Sequence, residues 1–127
     1  MRKIMFAALL VTGLAGCANL PTINVANSVN LNTLQGVVSG YGLVVNAENA
    51  LKATPLCLTG TAPSLTNICV RRSTIVRLQA ADRVANQAVN AAVAFVKNNP
   101  NVPPTGYISA AQSALLAVQS VINSAGN

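Results

Sequence analysis

The stretch STIVRLQAADRVANQAVNAAVAFVK, residues 73–97, decides the fold. Leu78, Ala81, Ala85, Ala88, Ala92 and Phe95 recur at steps of three and four, which places them on one face of a helix. Val84, Val89, Val93 and Val96 stand beside that stripe. Because the stripe is mostly alanine, a second helix can approach it closely. Ser73 or Thr74 suits the N-cap, and Lys97 suits the negative end of the helix dipole. Asn98-Asn99-Pro100 stops the helix, since the residue before a proline is disfavoured in helical conformation.

Working outward, the segment before this helix runs from about Val25 to Ala53. Leu31, Leu34, Val38, Tyr41 and Val45 again alternate in steps of three and four, with Val37, Leu43, Val44 and Leu51 widening the face. Asn30 or Asn32 suits a later N-cap. Gly36, Gly40 and Gly42 each cost about 1 kcal/mol relative to alanine inside a helix, so a kink or a helix in two pieces is expected. Gly36-Val37-Val38-Ser39-Gly40 matches the G-x-x-x-G pattern of close helix packing. Without the apolar context of a spanning helix, it points to tight packing inside the domain. On the other side, Pro103, Pro104 and Gly106 mark a turn. Ile108, Ala111, Leu115, Val118 and Ile122 then form a third stripe, with Thr105, or Ser109 with Gln112, as its capping residues and Gly126 near its end. Alternation at period two is not sustained anywhere. The expectation is an all-α fold, an antiparallel bundle of about three helices over residues 25–127.

The amino terminus carries a different signal. Arg2 and Lys3 precede an apolar run from Ile4 to Val11, and Leu14-Ala15-Gly16 leads into Cys17. This is the layout of a secretory signal peptide. Ending at a cysteine, it resembles the lipobox of bacterial lipoproteins. That resemblance implies cleavage between Gly16 and Cys17, acyl chains such as palmitate on Cys17, and a membrane surface as the protein's address. Residues 1–16 are then the signal peptide and 17–24 a lipidated tether, with Pro21 discouraging helix. Ala18 stands where an aspartate signals inner-membrane retention in Gram-negative bacteria, so the expected site is the outer membrane facing the periplasm.

An exported chain folds in an oxidising compartment, and lipidation of Cys17 leaves two cysteines, Cys57 and Cys69. They bound the loop between the first two helical segments, where Pro55, Gly60 and Pro63 lie. A bridge here closes a loop of about 13 residues, worth near 3 kcal/mol by loop entropy. A redox role is disfavoured because the spacing is not C-x-x-C.

Composition narrows the function. Beyond residue 16 the chain keeps six basic residues (Lys52, Arg71, Arg72, Arg77, Arg83, Lys97) against Glu48 and Asp82, a formal charge of +4. Arg71, Arg72, Arg77 and Arg83 cluster near one helix start and are the candidate interaction residues, for anionic headgroups or an acidic partner. At 100° per residue, Arg72 and Arg83 share a face while Arg77 points away, so they do not form one cationic stripe. Export, and aromatic residues at only 3% of the chain, argue against nucleic acid. The polar character comes from uncharged side chains, with 15 asparagines in the chain.

There is no histidine, which removes the usual general base and the commonest metal ligand. Glu48 is expected on a wet helix edge, and Asp82 in a surface pair with Arg77 or Arg83. The sequence therefore predicts a protein without catalytic residues, metal or cofactor. Cys57 to Cys69, followed by Arg71-Arg72-Ser73 and Leu78-Gln79-Ala80-Ala81-Asp82, is similar to small lipoproteins of proteobacteria and their prophages, a resemblance that implies no activity. The expected role is interaction with an envelope protein, and the alternative is a carrier of a small apolar ligand between the helices.

Overall fold

The computed structural model describes residues 20–126. Residues 1–19, on which the expected signal peptide, the expected lipidation site Cys17 and the start of the expected tether fall, and Asn127 lie outside the described residues. Four α-helices follow one another: α1 (Val25–Ser28), α2 (Leu34–Ala53), α3 (Arg72–Asn98) and α4 (Thr105–Asn123). Among the described residues the only β feature is an isolated bridge between Leu56 and Val70.

The first segment is indeed in two pieces, but the break falls at residues 29–33, ahead of the glycines. Thr33 caps α2, its hydroxyl accepting from the Gly36 N–H at 3.0 Å. Asn24 caps the single turn of α1. The expected caps Asn30 and Asn32 are used otherwise: Asn30 folds its side-chain oxygen onto the Asn32 N–H.

The buried face of α2 is Gly36, Val37, Gly40, Val44, Ala47, Glu48 and Leu51. This corrects the stripe expected from sequence by about one residue. Val38 is exposed, and the residues assigned to its flank, Val37, Val44 and Leu51, form the centre. The cause is glycine, which adds nothing to an apolar pattern yet occupies the contact surface. A Cβ on Gly40 would press on Val25, Leu31 and Leu115, so its absence lets the amino-terminal segment and α4 close over α2. Gly36 is tighter still, because a Cβ there would collide with the Asn30 carbonyl. The G-x-x-x-G pair thus serves packing inside the domain.

α3 and α4 follow their stripes. Thr74, Leu78, Ala85, Val89 and Ala92 are buried on α3, and Ile108, Ala111, Leu115, Val118 and Ile122 on α4. α3 begins at Arg72, so Ser73 and Thr74 lie inside its first turn rather than capping it. α4 also lacks a side-chain cap. Gln112, expected in a capping box, instead donates to the Leu31 carbonyl at 2.6 Å and to Asn32 Oδ1 at 2.9 Å. One apolar cluster joins all these faces, with Leu51, Leu78, Leu115 and Ile122 among its largest fully buried side chains. Full burial of such a side chain contributes about 1.5–3 kcal/mol.

The ends of the long helices meet in order. The Cys57–Cys69 disulfide, with Cα atoms 4.8 Å apart, joins the chain just after α2 to the chain just before α3. Beside it, the Cys57 N–H donates to the Val70 carbonyl, and the Val70 N–H to that of Pro55, both at 2.9 Å. At the far end of α3, Phe95 stacks on Tyr107 of α4 with ring centroids 4.4 Å apart. The amino-terminal segment lies along α4. The Ile23 N–H donates to Asn123 Oδ1 at 2.8 Å, Asn123 Nδ2 donates back to the Ile23 carbonyl at 2.8 Å, and the Val25 N–H donates to Gln119 Oε1 at 2.6 Å.

Candidate functional site

The polar side chains that the fold gathers lie between α2 and α3. Tyr41, one turn past Val37 on α2, reaches α3 with its hydroxyl. It donates to Asp82 Oδ1 at 3.0 Å and accepts from Asn86 Nδ2 at 2.9 Å. Asn90, one turn further, donates to Asn86 Oδ1 at 3.0 Å. Every member gains a partner, which is what makes a half-buried polar contact between helices tolerable. Burial pushes the Tyr41 hydroxyl above the usual phenol range. The Asn86 hydrogen bond opposes that, and the charges of Asp82 and Glu48 add to it.

Two turns along α2 from Tyr41 lies Glu48, and here the sequence expectation is corrected. Rather than a wet edge, Glu48 occupies the buried face with only 2% of its surface exposed. Its Oε2 accepts from Lys52 Nζ at 3.4 Å, one turn on, while among the described residues its Oε1 has no hydrogen-bond partner. The Lys52 contact is long and the lysine is well exposed, so it compensates the buried charge weakly. Burial raises the Glu48 carboxyl above the usual carboxylate range, the charge of Asp82 raises it further, and Lys52 only partly offsets them. Asp82 is half-buried and accepts from Tyr41, in place of the surface pair expected with Arg77 or Arg83.

This arrangement is a tie between two helices rather than an open cleft. Among the described residues no three His, Cys, Asp or Glu side chains come together to hold a metal ion. The tie is not evident in the sequence, where Tyr41 falls in an apolar stripe and its hydroxyl adds nothing to the pattern. The signal was present, since Tyr41 and Glu48 stand seven residues apart, two helical turns, and so share a face.

The candidate interaction residues fall elsewhere. Arg72, Arg77 and Arg83 are exposed on α3, and Arg71 is half-buried at its start. In front of them stands the disulfide loop, where Leu56, Leu58, Leu65 and Ile68 are exposed. A surface cleft of about 380 Å³ lies between the amino-terminal segment and α2, lined by Pro21, Ile23, Val25, Leu43 and Ala47 among others.

No family model matches the chain, and neither a curated protein nor a solved structure is similar to it. Function has to be argued from the residues themselves.

Proposed function

We infer that this is a lipid-anchored cell-envelope protein, held by acyl chains on Cys17 at the outer membrane facing the periplasm, whose helical domain acts by non-catalytic interaction with another envelope component. The observation that carries this reading is the run from Arg2-Lys3 through the apolar Ile4 to Val11 to Leu14-Ala15-Gly16-Cys17. Two further features support it. A disulfide suits an exported chain and is rare in the reducing cytosol. Among the described residues no helix is long and apolar enough to cross a membrane, and an anchor on Cys17 would not require one.

The domain presented in this way is read as an antiparallel arrangement of α2, α3 and α4. The order in which their ends meet, at the disulfide and at the Phe95–Tyr107 stack, supports that reading. The carrier alternative needs space between these helices. Leu51, Leu78, Leu115 and Ile122 instead meet there in one continuous cluster, so interaction is preferred.

Intact mass of the membrane-extracted protein, before and after reduction, tests the reading. The expected mass is that of a chain starting at Cys17 with acyl chains attached, gaining two hydrogens on reduction. A chain without acyl groups removes the anchor and the address together.

A further inference from the structure

Leu58 and Leu65 retain 78% and 74% of their full exposure, more than the other exposed large apolar side chains of the described residues. Both stand on the disulfide loop, with Leu56 and Ile68 exposed beside them. The loop is held in this shape. The Cys57–Cys69 bond and the paired Cys57 and Val70 backbone bonds fix its base. Thr61 and Asn67, donating their N–H groups to the carbonyls of Leu58 and Ser64, turn its arms. Four large apolar side chains left exposed within residues 56–68, on a loop held at its base, mark a candidate contact surface.

Two observations identify the partner. The first is charge. From Ala53 to Ala81 the chain contains no carboxylate, while Arg72 and Arg77, on different faces of α3, are both exposed on the first turns that follow the loop in the chain. Of the chain's two acidic side chains, Glu48 is buried and Asp82 is bonded to Tyr41. Apolar tips backed by cations without acids suit the boundary between acyl chains and anionic headgroups.

The second is where the tether leaves. Val25 lies against Gly40, and Pro21 to Asn24 border the same cleft as Leu43, Asn46 and Ala47. Asn123, the last residue of α4, holds Ile23. Followed back towards Leu20, the segment therefore climbs towards the end where α2 finishes and the disulfide loop begins. From Ala47 to Ala53 is a further rise of about 9 Å along the helix. Three residue-to-residue steps lead from Leu20 to Cys17, a reach of at most about 11 Å.

We propose that the disulfide loop is a membrane-docking face, with Leu58 and Leu65 entering an anionic phospholipid bilayer while Arg72 and Arg77 lie at its phosphates. The proposal rests on the lipid anchor for the closeness of a bilayer, and on the loop alone for the contact. Docking of this kind fixes the orientation of the domain, so that the α3–α4 turn faces away from the membrane.

The chain contains no tryptophan, so one introduced residue reports on its own surroundings. The full-length protein would be made with Leu58→Trp, Leu65→Trp or, as the distal reference, Val102→Trp. Each would be placed in vesicles of phosphatidylglycerol or of phosphatidylcholine, and its emission and its quenching by brominated acyl chains recorded. The expected result is blue-shifted, quenched emission for the two loop variants on phosphatidylglycerol and water-exposed emission for Val102→Trp. Adding Arg72→Ala or Arg77→Ala should each move the docked-to-undocked ratio about fivefold towards undocked on the anionic lipid. Water-exposed emission for both loop variants, with acyl chains present on Cys17, overturns the docking face and leaves the anchor standing. Quenching equal on the two lipids overturns the role given to the arginines. If the same preparation shows Cys17 unacylated but the loop variants are still quenched by added phosphatidylglycerol vesicles, docking stands and the anchor falls.

Discussion

Replacing Glu48 by glutamine should make this domain more stable at neutral pH. The residue is 2% exposed, and among the described residues its Oε1 has no hydrogen-bond partner and its one ion pair is a 3.4 Å contact to Lys52, whose side chain is 40% exposed. An unsatisfied buried polar atom costs about 1–3 kcal/mol, and more when it carries charge. Lys52 returns only part of this, because an exposed partner is screened by water. Glutamine keeps the shape and removes the charge, so a gain of about 1–2 kcal/mol is expected at pH 7. The sign with pH follows from the direction of the shift. Burial, then the charge of Asp82, hold the carboxyl above its ordinary value of 4.5, so the folded state binds this proton more tightly than the unfolded state does. Stability from this group is fully present below about 4.5 and is lost as pH rises through the folded value. The glutamine variant should lack that decline, and its advantage should vanish on acidification. Urea midpoints followed by circular dichroism across pH, at constant slope and with the disulfide intact, read this directly. A variant less stable than the parent at pH 7, with the pH dependence unchanged, would show that Glu48 is well held as an anion and that the reasoning is wrong.

Two other expectations concern the fold. Cys57→Ser with Cys69→Ser should lower stability by about 2–4 kcal/mol in chemical denaturation, and reduction of the parent should reproduce that loss. No change would mean that the loop hydrogen bonds alone hold the base. Gly36→Ala and Gly42→Ala should act in opposite directions, although both lie in α2. The first drives a Cβ into the Asn30 carbonyl and should cost about 1–3 kcal/mol or more, whereas the second meets open space and should gain up to about 1 kcal/mol from helix propensity. Equal thermal midpoints for the two variants would refute the packing described around Gly36.

How legible the fold was depended on what each helix buries. α3 and α4 could be read because their contact surfaces are alkyl side chains in an unbroken three-four pattern, which is the quantity a sequence displays. α2 was shifted by a residue because part of its contact surface is Gly36 and Gly40, where fit comes from a missing Cβ. α1 is a single turn held by Asn24, Gln119 and its packing on Gly40, and a partner about a hundred residues away leaves no local pattern. Glu48 departs from expectation for a related reason: a charged residue in a sequence signals solvent, yet this one stands seven residues from Tyr41 and so shares its face. The disulfide followed from cysteine arithmetic and compartment. The apolar tip of its loop was visible in the letters, but only the structure separates Leu58 and Leu65, which are wet, from Val70, which is buried.

The clasp of Asn123 on Ile23 also has a consequence for timing. The two residues lie 100 positions apart, so the amino-terminal segment cannot find its place until the last turn of α4 exists. Until then the groove over Gly40 stays open, and Val25 and Leu31 have nothing complete to bury themselves against. Closing so long a loop is the slow, non-local part of such a fold, whereas α3 and α4, joined by a short turn, can pack from neighbours alone. For a chain threaded across the inner membrane amino terminus first, as proposed above from Leu14-Ala15-Gly16-Cys17, this order is useful. The segment that emerges earliest is the one that settles last, and the chain remains threadable until its carboxyl end has followed.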